Sequence, residues 1–271
     1  MFTGVGTALV TPFKQDGSLD EPTLRKLIQR QTVDFLVPCG TTGESPTLTR
    51  KEHVRVVEIT VEEAKIPVLA GAGGYNTAEV IELAHEVSRV GAHGILSVTP
   101  YYNKPTQEGL YQHYKAIAQS TKLPIVVYNV PGRTGVNVEP QTLRRLQEFD
   151  NIVAVKEASA NLAQITRIAA EARNDFTVLS GDDILTKAIT GVGGKGVISV
   201  LSNVVPDFSQ RPFESLIPLM EALFIESNPM PVKAALALMG LCEPVWRLPM
   251  VPPTAATESR LREVLKQLRL I

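Results

Sequence analysis

Cysteine and histidine are scarce in the sequence and stand apart from one another. Two of the 271 residues are cysteines, Cys39 and Cys242, and a pair so distant in sequence does not indicate a disulfide framework. The four histidines are His53, His85, His93 and His113. None of them has the spacing to cysteine or carboxylate residues that is typical of metal ligands. We therefore expect neither a disulfide-rich fold nor a metal site.

An excess of charge and long apolar runs are also lacking. The 27 lysine and arginine residues nearly balance the 28 aspartate and glutamate residues, and no dense basic stretch suits nucleic acid or an anionic membrane. No apolar run approaches the roughly 18 residues that span a bilayer. The first residues, Met1–Gly6, lack the charged and apolar regions of a signal peptide. We expect a cytoplasmic protein with no nucleic-acid or membrane partner.

What the sequence does have is a regular alternation of short apolar runs with longer amphipathic stretches. The eight strand candidates are Val5–Val10, Phe35–Cys39, Pro67–Ala72, Gly94–Val98, Pro124–Asn129, Ile152–Lys156, Phe176–Ser180 and Gly196–Val200. Helix-like segments lie between them, for example Glu52–Ala64, Ala78–Val90 and Leu162–Ala172. Thr49 and Thr77 stand where helix caps are expected. Eight such units in a chain of this length predict an α/β fold, a closed (β/α)8 TIM barrel.

The pattern changes after Val200, where only helix-like stretches follow and several prolines mark breaks. We interpret residues 1–202 as the barrel core. Residues 203–271 are expected to form the last barrel helix and a C-terminal helical extension. No low-complexity linker separates the two parts, so the chain is predicted to be a barrel with an appendage.

Lys156 lies where an ammonium group has little reason to be, at the end of the apolar run Ile152–Val155. Burial removes the hydration of an amine and lowers its pKa, and a neutral amine can attack a ketone to form a Schiff base. A lysine that snorkels out of the barrel end into solvent is the alternative. Reactive groups in such barrels stand at the carboxyl ends of the strands. The residues at the neighbouring strand ends therefore help to decide whether Lys156 is catalytic or extends into solvent.

Those strand ends carry hydroxyl, phenol and guanidinium groups that suit imine chemistry. Tyr128, linked to Thr41 and another tyrosine, can move the proton that lets the carbinolamine oxygen leave as water. The turn Gly40–Ser45 offers backbone N–H groups and hydroxyls to the carboxylate of a 2-keto acid, and Arg133 offers a donor fork to a second carboxylate. Each residue alone also suits a structural role at the barrel rim. Their joint placement favours chemistry.

Nucleotide-binding glycine motifs are missing from the sequence. Gly71–Gly74 follows a strand but lacks the third glycine of a dinucleotide-binding fingerprint. Gly191–Gly196 lacks the Gly-Lys-Ser or Gly-Lys-Thr of a Walker sequence. Neither stretch therefore indicates a nucleotide cofactor.

Several motifs are recognisable as a set. They are Gly40–Ser45, Tyr101–Pro105, Tyr128–Gly135 and Val155–Ala158, with Leu179–Asp183 and Asn228–Lys233. Together they resemble the 4-hydroxy-tetrahydrodipicolinate synthase family, formerly dihydrodipicolinate synthase, of the pyruvate-dependent class I aldolases that include N-acetylneuraminate lyase. The resemblance implies a carbon–oxygen lyase that condenses pyruvate with L-aspartate 4-semialdehyde to 4-hydroxy-tetrahydrodipicolinate, on the route to diaminopimelate and lysine.

The resemblance also implies catalytic roles and an assembly. Lys156 matches the lysine that forms the imine with pyruvate, which leaves no need for a separate cofactor. Tyr128 matches the proton-transferring tyrosine, which is linked through Thr41 to Tyr102. In the family, the residue at Tyr102 comes from a neighbouring subunit. A homodimer at least is therefore implied, and a homotetramer is expected.

Substrate-binding residues follow from the same matches. Thr42 matches the contact to the pyruvate carboxylate, Arg133 the residue that receives aspartate semialdehyde, and Gly181 and Ile198 match positions that line the pocket. The double threonine and the arginine favour the synthase over an aldolase for 2-keto sugar acids or hydroxy-keto acids, which remains the enzymatic alternative. An alternative outside the enzymes is a barrel that serves as a regulatory or binding protein and catalyses no reaction.

Two features depart from the family. Ser45, His53, Glu79 and Tyr101 match an effector site for lysine, whereas Pro46, Arg50 and Tyr75 do not match its sensitive pattern. We therefore expect no strong inhibition by lysine. The stretches Gln31–Asp34 and Asp207–Leu216 are also shorter than is usual in the family. Of the expected properties, assembly beyond the dimer is the one that these short stretches put most in doubt.

Overall fold

The computed structural model describes residues 2–271, and eight parallel strands form a barrel within them. The strands are β1 (Gly4–Ala8), β2 (Phe35–Val37), β3 (Leu69–Gly71), β4 (Gly94–Val98), β5 (Ile125–Asn129), β6 (Ile152–Glu157), β7 (Thr177–Ser180) and β8 (Gly196–Ser199). They follow the order β2-β1-β8-β7-β6-β5-β4-β3, and a parallel bridge between Leu36 and Val68 joins the two ends. The predicted (β/α)8 barrel is confirmed.

The same residues, 2–271, contain eleven α-helices. They are α1 (Glu21–Gln29), α2 (Arg50–Glu63), α3 (Thr77–Arg89), α4 (Gln107–Ser120), α5 (Pro131–Thr134), α6 (Pro140–Leu146), α7 (Leu162–Glu171), α8 (Thr186–Gly191), α9 (Phe213–Ala222), α10 (Met230–Leu238) and α11 (Ala255–Gln267). The three helices predicted as examples are confirmed as α2, α3 and α7, with small shifts at their ends. None of the helices in this part of the chain has both the length and the apolar character needed to cross a membrane.

Side chains next to the helices fix where two of them begin. The Thr49 hydroxyl accepts a hydrogen bond from the Glu52 N–H, and the Glu52 carboxylate accepts one from the Thr49 N–H, so the predicted cap of α2 is confirmed. The predicted cap at Thr77 is wrong. Asn76 caps α3 by accepting a hydrogen bond from the Ala78 N–H, because asparagine is a strong N-cap and precedes the threonine.

Apolar side chains alternate between the inside of the barrel and the layer beneath the helices, as the pleat of a strand requires. In β5, Val126 packs inside the barrel, whereas Ile125 and Val127 pack outside against the helices. The inner layer includes Phe35, Val37, Leu69, Leu96, Val126, Ala154, Leu179 and Ile198. This layer fills the barrel, so a ligand has room only at an end of it.

The helices that follow β8 pack onto the barrel. Val10, Leu27 and Val197 belong to the same buried cluster as Leu219 of α9 and Leu261 of α11. Because one apolar core crosses residue 202, the division of the chain into residues 1–202 and 203–271 stays a prediction from the sequence.

The two stretches expected to be short are both ordered by contacts. Residues 30–34 join α1 to β2, and Arg30 donates hydrogen bonds to the carbonyls of Asn203 and Val204. The Asp34 carboxylate accepts a hydrogen bond of 2.7 Å from the Val5 N–H. After β8, a 3₁₀ turn at Phe208–Gln210 is followed closely by α9.

Candidate active site

A cavity of about 240 Å³ opens at the carboxyl ends of the strands. Thr41 from the turn after β2, Tyr128 from the end of β5 and Arg133 from α5 line it together. These three predicted site residues are far apart in sequence and meet because all parallel strands of a barrel point the same way. The cavity is smaller than those that hold drug-sized ligands, so its size suits a small metabolite.

Lys156 stands beside this cavity on the inner face of β6. It is 6% exposed, and its Nζ lies 4.2 Å from the centre of the Tyr128 ring. The parallel register pairs Tyr128 with Lys156, which explains why strands from different parts of the sequence bring them together. The ion pairs of residues 2–271 do not include Lys156. The lysine is therefore a buried amine without a carboxylate partner, and it lies over the aromatic face of Tyr128.

Glu157 follows Lys156 and holds the ends of β5 and β6 in place. Its carboxylate accepts hydrogen bonds from Asn129, from the Ser159 hydroxyl and from the Gln164 amide. Burial raises the pKa of Glu157, and these hydrogen bonds oppose the rise. The carboxylate is thus engaged by neutral donors on the outer side of the strand, because successive side chains of a strand point to opposite faces.

Gly181, in the turn after β7, lies against the lysine. A Cβ atom at this position would stand 2.6 Å from the Ala158 Cβ and 3.1 Å from the Lys156 Cε. A glycine is therefore the residue that lets this turn approach the lysine so closely. Asp183 fixes the same turn, because its carboxylate accepts hydrogen bonds of 2.9 Å from the N–H groups of Val200 and Leu201.

The turn Gly40–Ser45 is closed by its own backbone. The N–H groups of Gly43, Glu44 and Ser45 donate to carbonyls of the same turn at 3.1–3.4 Å. The N–H groups of Thr41 and Thr42 donate to no backbone carbonyl of residues 2–271. Thr41 lines the cavity, and two adjacent N–H groups without a backbone acceptor form an arrangement that can bind a carboxylate.

Asn228 begins one of the motifs noted in the sequence but was assigned no role there, and it joins two predicted residues. The side chain of Thr42 is 3% exposed, and its Oγ1 accepts a hydrogen bond of 3.0 Å from the Asn228 Nδ2. Arg133 donates a hydrogen bond of 3.3 Å to the Asn228 carbonyl. The Thr42 hydroxyl therefore faces the start of α10 and does not line the cavity.

Four further predicted catalytic or substrate-binding residues do not line the cavity within this chain: Lys156, Gly181, Ile198 and Tyr102. Ile198 is buried in the inner layer below the site, where it belongs to the same cluster as Tyr128. Tyr102 is 92% exposed and has a left-handed backbone conformation, with φ of 71°. The side chain of Tyr102 is therefore almost fully exposed in the single chain, whereas Lys156 is buried.

The residues predicted for an effector site are only partly brought together. Ser45 and Tyr101 line the same cavity as Tyr128. His53 is buried, its Nε2 lies 2.7 Å from the Gly71 carbonyl oxygen, and its pKa is lowered chiefly by burial. Glu79 is exposed on α3.

A buried ion pair ties the turn after β2 to the C-terminal helices. Lys233 of α10 donates a hydrogen bond to the Glu44 carboxylate, and both side chains are fully buried. The N–H of Arg247 donates to the second carboxylate oxygen at 3.2 Å. Sequence reasoning missed this pair. The lone lysine in the apolar helix α10 is a signal that could have found it, because lysine is almost never fully buried without a partner.

Comparison with known proteins agrees with this geometry. Residues 1–268 match the Dihydrodipicolinate synthetase family. The chain is 49% identical to the 4-hydroxy-tetrahydrodipicolinate synthase of Archaeoglobus fulgidus, with 100% of both chains covered. A solved dihydrodipicolinate synthase from Thermotoga maritima is 48% identical with a TM-score of 0.95, and again 100% of both chains is covered. One from Aquifex aeolicus is 44% identical with a TM-score of 0.95, over 99% of each chain.

The alignment with the Archaeoglobus fulgidus relative spans 288 positions, whereas this chain has 271 residues. That relative therefore has residues that this chain lacks, in keeping with the two short stretches noted in the sequence. The family match, the identities and the common fold extend over almost the whole length. The chain belongs to the dihydrodipicolinate synthetase family.

Proposed function

We propose that this chain condenses pyruvate with L-aspartate 4-semialdehyde to 4-hydroxy-tetrahydrodipicolinate, through an imine on Lys156. The observation that carries the proposal is the contact between the buried Lys156 amine and Tyr128 at the edge of the cavity. The family and the names of the relatives support the same reaction, which is a step of diaminopimelate and lysine biosynthesis. The reaction needs no cofactor, because the lysine itself activates the ketone.

The first half of the reaction joins pyruvate to the enzyme. The Lys156 amine attacks the ketone carbon, a C–N bond forms, and the ketone oxygen becomes the hydroxyl of a carbinolamine. Tyr128 supplies the proton with which that hydroxyl leaves as water, and the nitrogen lone pair closes the imine. Loss of a proton from the pyruvate methyl group then gives the enamine.

The second half forms the carbon–carbon bond. The enamine carbon attacks the aldehyde carbon of the semialdehyde, and the aldehyde oxygen takes up a proton. The amino group of the bound semialdehyde then attacks the imine carbon, which closes the ring and releases the Lys156 amine. The proposal assigns the protons taken up or lost in these steps to a relay of Tyr128 and Thr41, which border one cavity.

The two carboxylates of the substrates have separate places in this proposal. The free N–H groups of Thr41 and Thr42 bind the carboxylate of pyruvate. Arg133, an exposed residue at the cavity, binds the carboxylate of the semialdehyde with its planar donor fork. Gly181 and Ile198 shape the space around the imine, Gly181 by contact and Ile198 from the layer below.

Assembly completes the proposed site. Tyr102 is almost fully exposed in the single chain, which suits a residue that enters the site of a neighbouring subunit. A homodimer is therefore the smallest active unit in the proposal, and a homotetramer is its expected full assembly. A cytoplasmic location belongs to the same proposal, because both substrates are soluble metabolites.

Strong feedback inhibition by lysine is not part of the proposal. Arg50 donates a hydrogen bond of 2.6 Å to the Glu86 carboxylate and one of 3.3 Å to the Glu79 carbonyl. A guanidinium fixed in this way places positive charge beside Glu79, where the ammonium group of an effector would need negative potential. Pro46 also offers no backbone N–H to an effector carboxylate.

Borohydride trapping tests the function directly. We expect that reduction of the protein with pyruvate present attaches one pyruvate to the peptide that contains Lys156, as found by peptide mass mapping. Lys233 is an internal control, because it is a second buried lysine and its ion pair keeps it from reacting. The absence of an adduct on Lys156 would sink the imine mechanism, and non-covalent pyruvate binding alone would point to a barrel without turnover.

A coupled assay with pyruvate and aspartate semialdehyde, with and without lysine, tests the acceptor and the regulation. We expect turnover with the semialdehyde and little inhibition by lysine. Efficient retro-aldol cleavage of a 2-keto sugar acid, with the semialdehyde a poor acceptor, would instead identify the enzymatic alternative.

A further inference from the structure

The buried ion pair between Glu44 and Lys233 lies behind the turn that carries Thr41 and Thr42. Both side chains have no exposed surface, and neither residue lines the cavity. Glu44 follows Thr42 by two positions and has a left-handed backbone conformation, with φ of 51°. A residue other than glycine keeps this conformation only where its surroundings hold it there.

Contacts to Glu44 and Lys233 come from several distant elements. The Lys233 ammonium also donates a hydrogen bond of 2.9 Å to the Val245 carbonyl, and it lies 4.2 Å from the centre of the Phe13 ring. The Arg247 N–H donates to the remaining Glu44 carboxylate oxygen. The ion pair is therefore satisfied by donors and acceptors of the C-terminal region, and it fixes the distance between that region and the turn.

Arg247 joins the same C-terminal region to the residues that follow the turn Gly40–Ser45. Its guanidinium donates to both carboxylate oxygens of Glu52, at 2.9 and 2.6 Å, and to the Thr47 carbonyl at 3.1 Å. Glu52 is the residue that closes the capping box of α2. The turn Gly40–Ser45 is thus held at Glu44, and the 3₁₀ turn Ser45–Thr47 that follows it is held at Thr47.

We propose that Glu44 and Lys233 are positioning residues for pyruvate, which set the backbone of Thr41 and Thr42 so that their free N–H groups face the cavity. This proposal rests on the proposed function, in which those N–H groups bind the carboxylate of pyruvate. The C-terminal helices are thereby part of the active site, although they contribute no residue to its lining through this pair.

General physical chemistry favours positioning over stabilisation as the role of such a pair. Removing two charges from water costs about as much free energy as their attraction returns, so apolar replacements of a buried pair are often as stable as the pair. The geometry of an ion pair is directional, however, and a short charge-assisted contact holds its two partners within a few tenths of an ångström. A turn that must aim two N–H groups at a carboxylate requires this precision.

Three variants separate positioning from stability. Glu44→Gln and Lys233→Met each leave one buried group without its partner, so both are expected to lower the melting temperature and to raise the KM for pyruvate by about tenfold. The double variant Glu44→Gln with Lys233→Met removes both charges. We expect it to regain most of the melting temperature and to keep the raised KM for pyruvate, whereas the KM for aspartate semialdehyde stays within about twofold of the wild type.

Leu265→Ala is the matched control for lost stability. Leu265 is fully buried in α11, away from the turn, so its truncation lowers the melting temperature without moving Thr41 or Thr42. Its KM for pyruvate is expected to stay within about twofold of the wild type. A rise in this control equal to that of the double variant would show that lost stability alone raises the KM, and it would overturn the proposal.

The decisive result is the pyruvate dependence of the double variant. A double variant with the wild-type KM for pyruvate overturns the proposal. If the double variant does not fold, Glu44→Asp decides, because it keeps the charge and withdraws the carboxylate by one methylene group; an unchanged KM for pyruvate there also overturns the proposal. Borohydride trapping of the wild type comes first, since failure to form any adduct on Lys156 refutes the proposed function and not the positioning role alone.

Discussion

At the scale of single residues, Gly181 limits what can stand beside Lys156. A methyl group at this position would approach the Ala158 Cβ to 2.6 Å and the Lys156 Cε to 3.1 Å, so Gly181→Ala displaces the lysine side chain. We expect kcat/KM to fall by about 100-fold, because small displacements of a reacting group are costly to catalysis. Steady-state kinetics and the rate of borohydride trapping measure the effect.

Gly191→Ala is the matched control for that variant. A Cβ atom at Gly191 meets no other atom within 4 Å, and the residue ends α8 on the surface. Its kinetics are expected to equal those of the wild type. Wild-type trapping rates in Gly181→Ala would contradict the assigned contact with the lysine.

Arg133 is expected to act on one substrate only. Arg133→Ala removes the donor fork at the cavity, so the proposal predicts a fall of about 100-fold in kcat/KM for aspartate semialdehyde. The pyruvate concentration that half-saturates imine trapping should change by less than about twofold, since Arg133 does not contact Lys156. Equal loss of imine formation and of semialdehyde use would refute this role.

Single residues also mark the limit of prediction from the sequence. Lys156, Tyr128 and Thr41 could be placed at one site, because their positions at strand ends follow from the alternation of apolar runs. The orientation of Thr42 could not be predicted. Its hydroxyl is turned from the cavity by Asn228, a residue 186 positions away, and no local pattern reports a contact between residues so distant in sequence.

At the scale of secondary structure, the capping box of α2 is a testable local device. Thr49→Ala removes the hydroxyl that accepts from the Glu52 N–H, and the loss of such a cap costs about 1 kcal/mol in the free energy of unfolding. Because Glu52 also binds Arg247, the cost is expected at the upper end of the usual range, roughly 1–2 kcal/mol. Urea unfolding monitored by circular dichroism measures it.

Thr166→Ala serves as the control for the cap. Thr166 is exposed within α7, and its hydroxyl donates a hydrogen bond to the Leu162 carbonyl. Such a bond to the carbonyl four residues earlier does not stabilise a helix. Its effect on the free energy of unfolding should stay within about 0.5 kcal/mol. A Thr49→Ala variant no less stable than this control would argue that the box contributes nothing.

Strands and helices could be predicted from the sequence where a local pattern of apolar or capping residues determines them. All eight strands lie within or beside the predicted apolar runs, because strands of a parallel barrel are buried on both faces. The start of α3 was not predicted correctly, since Asn76 and Thr77 are both good caps and only the backbone decides between them. The role of α10 was also missed, because its buried lysine acts through a glutamate of a distant turn.

At the scale of the whole molecule, two buried histidines, His53 and His113, make stability depend on pH. Burial lowers the pKa of His113 from 6.5 to about 4. Below pH 6.5 the unfolded chain therefore binds a proton that the folded chain does not bind until about pH 4. The stability that comes from a neutral His113 is fully present above pH 6.5 and is lost as the pH falls towards 4, at a rate of at most ~1.4 kcal/mol per pH unit.

The variant His113→Gln lacks this titrating group and should make stability depend less steeply on pH between 6.5 and 4, while His53, whose pKa burial also lowers, keeps part of the dependence. At pH 8 His113 is neutral in the folded and the unfolded chain, so a difference between the variant and the wild type in the free energy of unfolding at that pH reports the change in packing alone. Free energies of unfolding measured from pH 8 to pH 4 test the prediction. Parallel curves for the variant and the wild type across that range would exclude His113 as the cause.

Complementation between inactive subunits tests whether the whole molecule shares its sites. The proposal supplies Lys156 and Tyr128 from one subunit and Tyr102 from its neighbour. Mixing Lys156→Ala subunits with Tyr102→Phe subunits then creates hybrid dimers in which one site contains all three wild-type residues. With equal and random mixing, about a quarter of the wild-type activity should return.

A second mixture provides the control. Tyr128 contacts Lys156 within the same chain, so Lys156→Ala subunits mixed with Tyr128→Phe subunits have a defect in every site and should regain nothing. If Tyr102 instead served its own chain, both mixtures would stay inactive. Recovery in the first mixture alone would require that Tyr102 acts in the site of the neighbouring subunit, a role for which its exposure in the single chain leaves it available.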